Sequence, residues 1–327
     1  MEYKVGDLCT FQEGYVNPSQ KIEKYFDGPH KWVRAVDVNN NEVFNTSRTL
    51  SEEGFKSAKK SAYKFPANSI VITKSGTIGR VAIIKDKMAG NRAIINIVPN
   101  EKLVNLYYLF YLLITKRQDL ENLAVGSVQK NLYISVLSTL KINVPELKKQ
   151  NKIAKVLKNI DDKIASNRQI IANLEELSQT LFKHWFVDFE FPDKDGNPYK
   201  SSGGEMIDSE LGEIPKNWSI KTVKDIAESF NSIRKPLSKI EREKRESIYP
   251  YYGATKIIDY VDNYIFDGKY ILVGEDGAVQ TETGNPFIQY VWGKFWVSNH
   301  AHILKGKLIS DELLMLYLKN TNVAPYI

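Results

Sequence analysis

Gln150-Asn151-Lys152-Ile153-Ala154-Lys155-Val156-Leu157-Lys158-Asn159-Ile160-Asp161-Asp162-Lys163-Ile164 opens the stretch on which the architecture turns. With Ile153 at heptad position a, the a positions read Ile153, Ile160, Asn167, Leu174 and Leu181, and the e positions Leu157, Ile164, Ile171 and Ser178. Val156, Ile170 and Leu177 widen the stripe, and the opposite face is rich in lysine. Apolar groups at this spacing share one helix face, so the pattern predicts a single long amphipathic helix. Pro145 stands near its start and Pro192 sets an outer limit on its end. From Lys148 to Trp185 such a helix runs about 57 Å at ~1.5 Å per residue, more than one small domain requires. A stripe of this kind needs a partner helix, and Asn167 is the polar position expected to fix its register.

Outward from the helix, the 327 residues divide by charge. Lys and Arg outnumber Asp and Glu by 45 to 39, a net +6. Residues 1–145 carry 20 basic and 13 acidic groups, whereas 187–215 carry 2 and 8. Base-rich parts therefore flank a short acidic stretch whose Asp193-Lys194-Asp195-Gly196-Asn197-Pro198 and Ser201-Ser202-Gly203-Gly204 read as a linker. The basic excess admits nucleic acid as a partner, and 18 Tyr with five Trp add stacking surface. Cys9 is the single cysteine, which excludes an internal disulfide, and four His beside it give no structural zinc pattern. No run approaches 18 apolar residues, so no membrane partner and a cytoplasmic location are expected.

Residues 1–145 read as mixed α and β. Ile70-Val71-Ile72-Thr73, a Ser75-Gly76 turn and Ile78 to Ile84 form an expected hairpin, followed by a strand from Asn91 to Val98 and a helix over Leu103 to Ile114. The region after the linker repeats this one. Val5-Gly6-Asp7-Leu8 recurs as Val223-Lys224-Asp225-Ile226, and Ile70 to Gly76 as Tyr270 to Gly277. Asn91-Arg92-Ala93-Ile94-Ile95 recurs as Asn299-His300-Ala301-His302-Ile303, and Leu103 to Leu113 as Leu308 to Leu318. Four matches in one order predict two related α/β domains joined by the helix. The expected boundaries are 1–145, a spacer helix 146–191, a linker 192–215 and a second domain 216–327.

These features together resemble the specificity subunit of a type I restriction–modification enzyme. The resemblance is carried by the repeat, by Gln150 through Ile164, by Leu181-Phe182-Lys183-His184-Trp185-Phe186-Val187-Asp188-Phe189-Glu190-Phe191-Pro192, and by Leu211-Gly212-Glu213-Ile214-Pro215-Lys216-Asn217-Trp218. It implies two target-recognition domains that read the halves of a bipartite DNA site, held apart by two antiparallel helices. It also implies double-stranded DNA, methyltransferase (M) subunits and restriction/translocase (R) subunits as partners. The chain itself would be non-catalytic and bind no cofactor, with S-adenosylmethionine, ATP and Mg used by the partner subunits of an adenine-specific complex.

Catalytic signatures are weak. Asn197-Pro198-Tyr199 and Asn285-Pro286-Phe287 lack the second proline of an amino-methyltransferase motif, and Ser75 to Arg80 lacks the Gly-Lys-Ser/Thr ending of a P-loop. The hairpin turn reads better as a DNA contact. Lys74, Thr77, Arg80 and Arg92 offer phosphate-positioning and base-reading groups, as do Gln129, Lys130 and Asn131 on a Gly/Ser loop. Plain exposed turns are the blander reading of each. In the second copy the corresponding candidates are Gln280, Thr281, Asn299 and His300, where Glu275, Asp276 and Glu282 make the surface less basic. Two other classes stay open at this point: a regulatory or structural coiled-coil protein that associates with DNA without reading it, and a self-contained DNA enzyme.

The counterpart of the long helix would begin near residue 350, past Ile327, so the second copy is expected to be incomplete and the stripe to lack its intramolecular partner. Ile153, Leu157, Ile160, Ile164, Ile171, Leu174 and Leu181 represent very roughly 10–20 kcal/mol of burial as an upper bound. Pairing with a second copy, a methyltransferase helix or a separately encoded half is the expected remedy; a piece of a longer chain is the duller alternative.

Overall fold

In the computed structural model, residues 1–126, 130–276 and 279–326 are described. The chain divides into two units, Met1–Gln169 and Ile170–Ile327. The boundary falls inside the long helix, so each half of that helix belongs to the unit it packs on.

Among the described residues, the first unit holds a two-stranded antiparallel pair, Glu2–Lys4 with Lys141–Asn143, and two larger sheets. Strands β1 (Cys9–Glu13), β2 (Phe26–Val33), β3 (Asn41–Val43), β4 (Thr49–Leu50), β5 (Lys64–Phe65), β6 (Ser69–Thr73), β7 (Val81–Ile84), β8 (Met88–Gly90) and β9 (Ile94–Pro99) form the larger two. One sheet has the order β1-β9-β6-β7-β3 and the other β4-β2-β8-β5. β6 and β7 pair antiparallel with Ile70 opposite Ile83 and Ile72 opposite Val81, which is the predicted hairpin. The second strand starts only at Val81, because Ile78 to Arg80 belong to the turn. β6 is buried along its whole length, since the two faces of its sheet serve two different cores. Ile70 and Ile72 join Leu109 and Leu113, and Val71 joins Val33 and Phe65.

Helix α1 (Leu106–Thr115) starts three residues later than expected, because the Asn105 side chain caps it by accepting from the Tyr108 amide at 3.0 Å. The short α2 (Arg117–Leu123) follows directly. Helix α3 (Leu147–Phe182) has 36 residues, about 54 Å at ~1.5 Å each, and ends in a π turn over Lys183–Val187. Gln150 anchors its start: fully buried, it accepts from the Asn105 amide at 2.9 Å and donates to Leu103 and Pro145 carbonyls at 3.1 and 2.8 Å.

The second unit rebuilds the same frame. Strands β10 (Ala227–Ser229), β11 (Tyr249–Tyr252), β12 (Ile257–Val261), β13 (Phe266–Asp267), β14 (Tyr270–Gly274), β15 (Ile288–Val291), β16 (Lys294–Val297) and β17 (Ala301–Gly306) give sheets β10-β17-β14-β15 and β12-β11-β16-β13. The parallel β2/β8 pair of the first unit has its match in the parallel β11/β16 pair, flanked in both units by antiparallel neighbours. Helix α4 (Asp311–Lys319) stands where α1 does, with Ser310 as its cap. The internal repeat is thus real at the level of strand order and direction.

Hydrogen bonds correct its alignment by one residue. The Asn91 amide bonds Val33 as Ser298 bonds Tyr252, and Asn91 Oδ1 receives the Ala93 amide as Ser298 Oγ receives that of His300. The Lys74 amide reaches the Ala93 carbonyl as that of Glu275 reaches His300. Asn91 therefore corresponds to Ser298, Arg92 to Asn299 rather than His300, and Lys74 to Glu275. A serine hydroxyl does the turn-closing work of the asparagine, so residue identity misled the alignment.

Candidate nucleic-acid interface

The ends of β2, β6 and β8 and the starts of β5, β7 and β9 lie at one end of the first unit, as their pairing directions require. Three loops meet there. The Lys74 amide bonds Ala93 at 2.8 Å, linking the hairpin turn to the Asn91–Ala93 turn, and the Leu132 amide bonds the Lys74 carbonyl at 2.8 Å, linking in the loop that precedes it. Asn131 and Val125 exchange two backbone bonds of 2.9 Å, closing that loop. Sequence candidates more than 50 residues apart, Lys74 and Asn131, are so brought onto one surface.

Their side chains differ in what they offer. Arg92 and Lys130 are exposed. Lys74 is turned inward: its ammonium lies 3.2 Å from Glu13 Oε1, with side chains 17% and 24% exposed, so in this state it braces the turn instead of meeting solvent. Thr77 Oγ1 and Arg80 Nε are buried and make no hydrogen bond among the described residues. Gln129 lies outside the described residues.

Several groups escaped the sequence reading. Arg34 follows β2 directly beside the Asn91 turn, its guanidinium 2.7 Å from Ser47 Oγ and 5.1 Å from the Trp32 ring centre. Lys59 and Lys60 are exposed on the turn leading to β5. Arg117, Gln118 and Asn122 of α2 line, with Gly76, Thr77 and Lys130, an open cleft of about 410 Å³. Clustered lysines at 56–64 were a legible charge signal; α2 had none, since only Leu120 and Leu123 mark its inner face.

The corresponding loops of the second unit are more self-contained. Arg234 pairs with Glu275 and also donates to the Asn299 and Ala301 carbonyls at 3.0 and 2.9 Å. His300 Nδ1 is 3.1 Å from Asp276. Thr281 shares its hydroxyl with Thr283 at 2.8 Å inside a tight loop, and Gln280 and Asn299 are exposed.

Along α3 the apolar stripe is open. Val156, Ile160, Ile164, Ile170, Ile171, Leu174, Leu177 and Leu181 are between 38% and 59% exposed. Asn167 is exposed beside them, while Ile153 and Leu157 are half-buried in their own unit. Among the described residues no group of three His, Cys, Asp or Glu could hold a metal ion, and no helix is long and apolar enough to cross a membrane.

Residues 1–176 and 215–324 match the family described as type I restriction modification DNA specificity domain. The chain belongs to that family. It is similar to the specificity subunit of the type I restriction enzyme MjaIX from Methanocaldococcus jannaschii, 28% identical over 96% of this chain and 74% of the relative. The specificity subunit of EcoprrI from Escherichia coli is 24% identical over 96% and 76%. Among solved structures, the crystal structure of a type I restriction–modification S subunit from M. genitalium shares the fold, with a TM-score of 0.52 and 17% identity over 94% of this chain and 72% of that one. The family match skips residues 177–214, the end of α3 and the acidic linker, and covers both repeats, as the paired sheets do.

Proposed function

We propose that this specificity-domain protein is the DNA-reading subunit of a type I restriction–modification complex. The observation that carries it is the family match across both globular units, whose loop-bearing ends hold the candidate contacts. Residues 1–145 would read one half of a bipartite site and 216–327 the other, with 146–191 as spacer and 192–215 as linker. Methyltransferase and restriction subunits are the protein partners, and the methylated base is adenine. S-adenosylmethionine, ATP and Mg serve those subunits, in the cytoplasm, and this chain performs no chemistry. Of the sequence candidates, Arg92, Lys130 and Asn131 are the proposed contacts in the first unit, and Gln280 and Asn299 in the second. The stripe on α3 pairs with the same helix of a second copy, antiparallel about a two-fold axis, because so large a set of exposed aliphatic groups favours burial.

The test is to express the chain with its methyltransferase subunit and sequence modified bases in the host genome. A defined bipartite adenine-methylated motif, lost when this chain is omitted, is expected. Methylation without a motif, or one that persists when this chain is omitted, would overturn the proposal.

A further inference from the structure

We infer that α2 is a base-reading element of the first unit, with Gln118 and Asn122 as its discriminating groups. The inference deepens the function proposed above and rests on it. Fully buried Leu120 sets the phase of α2, so Gln118 and Asn122, one turn apart, both face outward and are exposed. Gln118 Nε2 donates to Asn122 Oδ1 at 3.2 Å. That bond uses the Gln118 donor and the Asn122 acceptor, which leaves an acceptor, the Gln118 carbonyl oxygen, and a donor, the Asn122 NH2 group, one turn apart on the same exposed face. The major-groove edge of adenine presents the complement, the N6 amino donor beside the N7 acceptor.

The position of α2 fits that role. It rests directly on the hairpin turn: Gly79 has φ +80°, and a Cβ there would lie 3.2 Å from Arg117 Cγ. Gly76, Thr77 and Lys130 line one cleft with Gln118 and Asn122, so the amides share a surface with a candidate phosphate contact. Arg117 is paired with Glu121 at 2.9 Å, which leaves the outward row neutral. A neutral amide brings no charge to a phosphate, whereas on a base edge its donor and acceptor read sequence.

The experiment uses the full chain assembled with its methyltransferase subunit, and reads the genomic methylation motif of wild type, Gln118→Ala with Asn122→Ala, and Gln118→Glu. The alanine pair is expected to relax one or two adjacent positions in one half-site, with discrimination there falling about tenfold or more, the scale of one lost bidentate contact. Gln118→Glu keeps the size of the side chain and removes the donor that holds Asn122 Oδ1, so the two groups lose their fixed orientation and discrimination at the same position should also fall. An unchanged motif in all three proteins, or a uniform loss at every site with the motif intact, would overturn the inference while leaving the function standing. A wild-type complex that shows no motif would overturn both.

Discussion

At the residue scale, the loop-bearing end of the first unit separates groups that face solvent from groups that hold the loops in place. Arg92 and Lys130 face solvent, whereas Lys74 is held by Glu13. Each exposed cation that meets a phosphate releases about one counterion, which steepens the fall of affinity with salt. Arg92→Ala and Lys130→Ala should therefore each reduce the slope of log affinity against log salt by about 0.9 in the assembled complex. Lys74→Ala should leave that slope within error and instead lower the melting temperature, since it strands Glu13 partly buried. A slope change for Lys74→Ala equal to that of Lys130→Ala would show that binding pulls Lys74 away from Glu13. The sequence could not reveal this pairing: Glu13 and Lys74 are 61 positions apart and meet only because β1, β9 and β6 lie side by side.

Single elements were legible in proportion to their periodicity. The heptad pattern from Ile153 to Leu181 marked α3, and the alternation around Ile70 marked β6 and its hairpin, because burial imposes both periods on the side chains. Helix α2 was missed, as was the junction between α3 and the body. There Tyr107 bonds Glu42 and receives Lys85 Nζ at 3.0 Å, Tyr111 donates to Asp161 at 2.7 Å, and Lys158 reaches Asp162 at 2.7 Å. Such a junction joins residues scattered from 42 to 162, and no local pattern encodes it. Burial first, and then the Glu42 carboxylate, push the Tyr107 hydroxyl from 10.0 up to about 12. The raised value means the protonated phenol is favoured in the folded state. Its stabilising effect is fully present below the unfolded value and is lost as pH rises through the folded one. The unfolding free energy of wild type minus that of Tyr107→Phe should thus stay constant up to about pH 10 and shrink toward about pH 12. Denaturant titrations across that range check it, and a constant difference throughout would show that the folded state does not hold the phenol protonated.

For the whole molecule, the exposed stripe on α3 has a direct consequence in solution. If two copies pair through it, light scattering should give twice the chain mass for wild type and a single chain for Ile160→Asp combined with Leu177→Asp. Both side chains are about half exposed, so the variant should retain its fold and its melting behaviour. A wild-type protein that stays monomeric without aggregating would defeat the pairing. The internal repeat is legible in the sequence because Val5 and Val223 open the same capped turn, with Asp7 and Asp225 each accepting the amide three residues earlier. Its one-residue misalignment near Ser298 arose where two different side chains close the same turn.

The position after the central strand is basic in one unit and acidic in the other: Lys74 sits against Glu13, and Glu275 against Arg234. The two repeats have kept the backbone and inverted the charges that fasten it. Grafting the segment 270–275 in place of 69–74 would set Glu275 against Glu13, and the reciprocal graft would set Lys74 against Arg234. Like charges so close and so poorly hydrated repel strongly. Exchange strand by strand therefore breaks a charge pair in either unit, and a chimera with altered reading should be cut between repeats, never inside one.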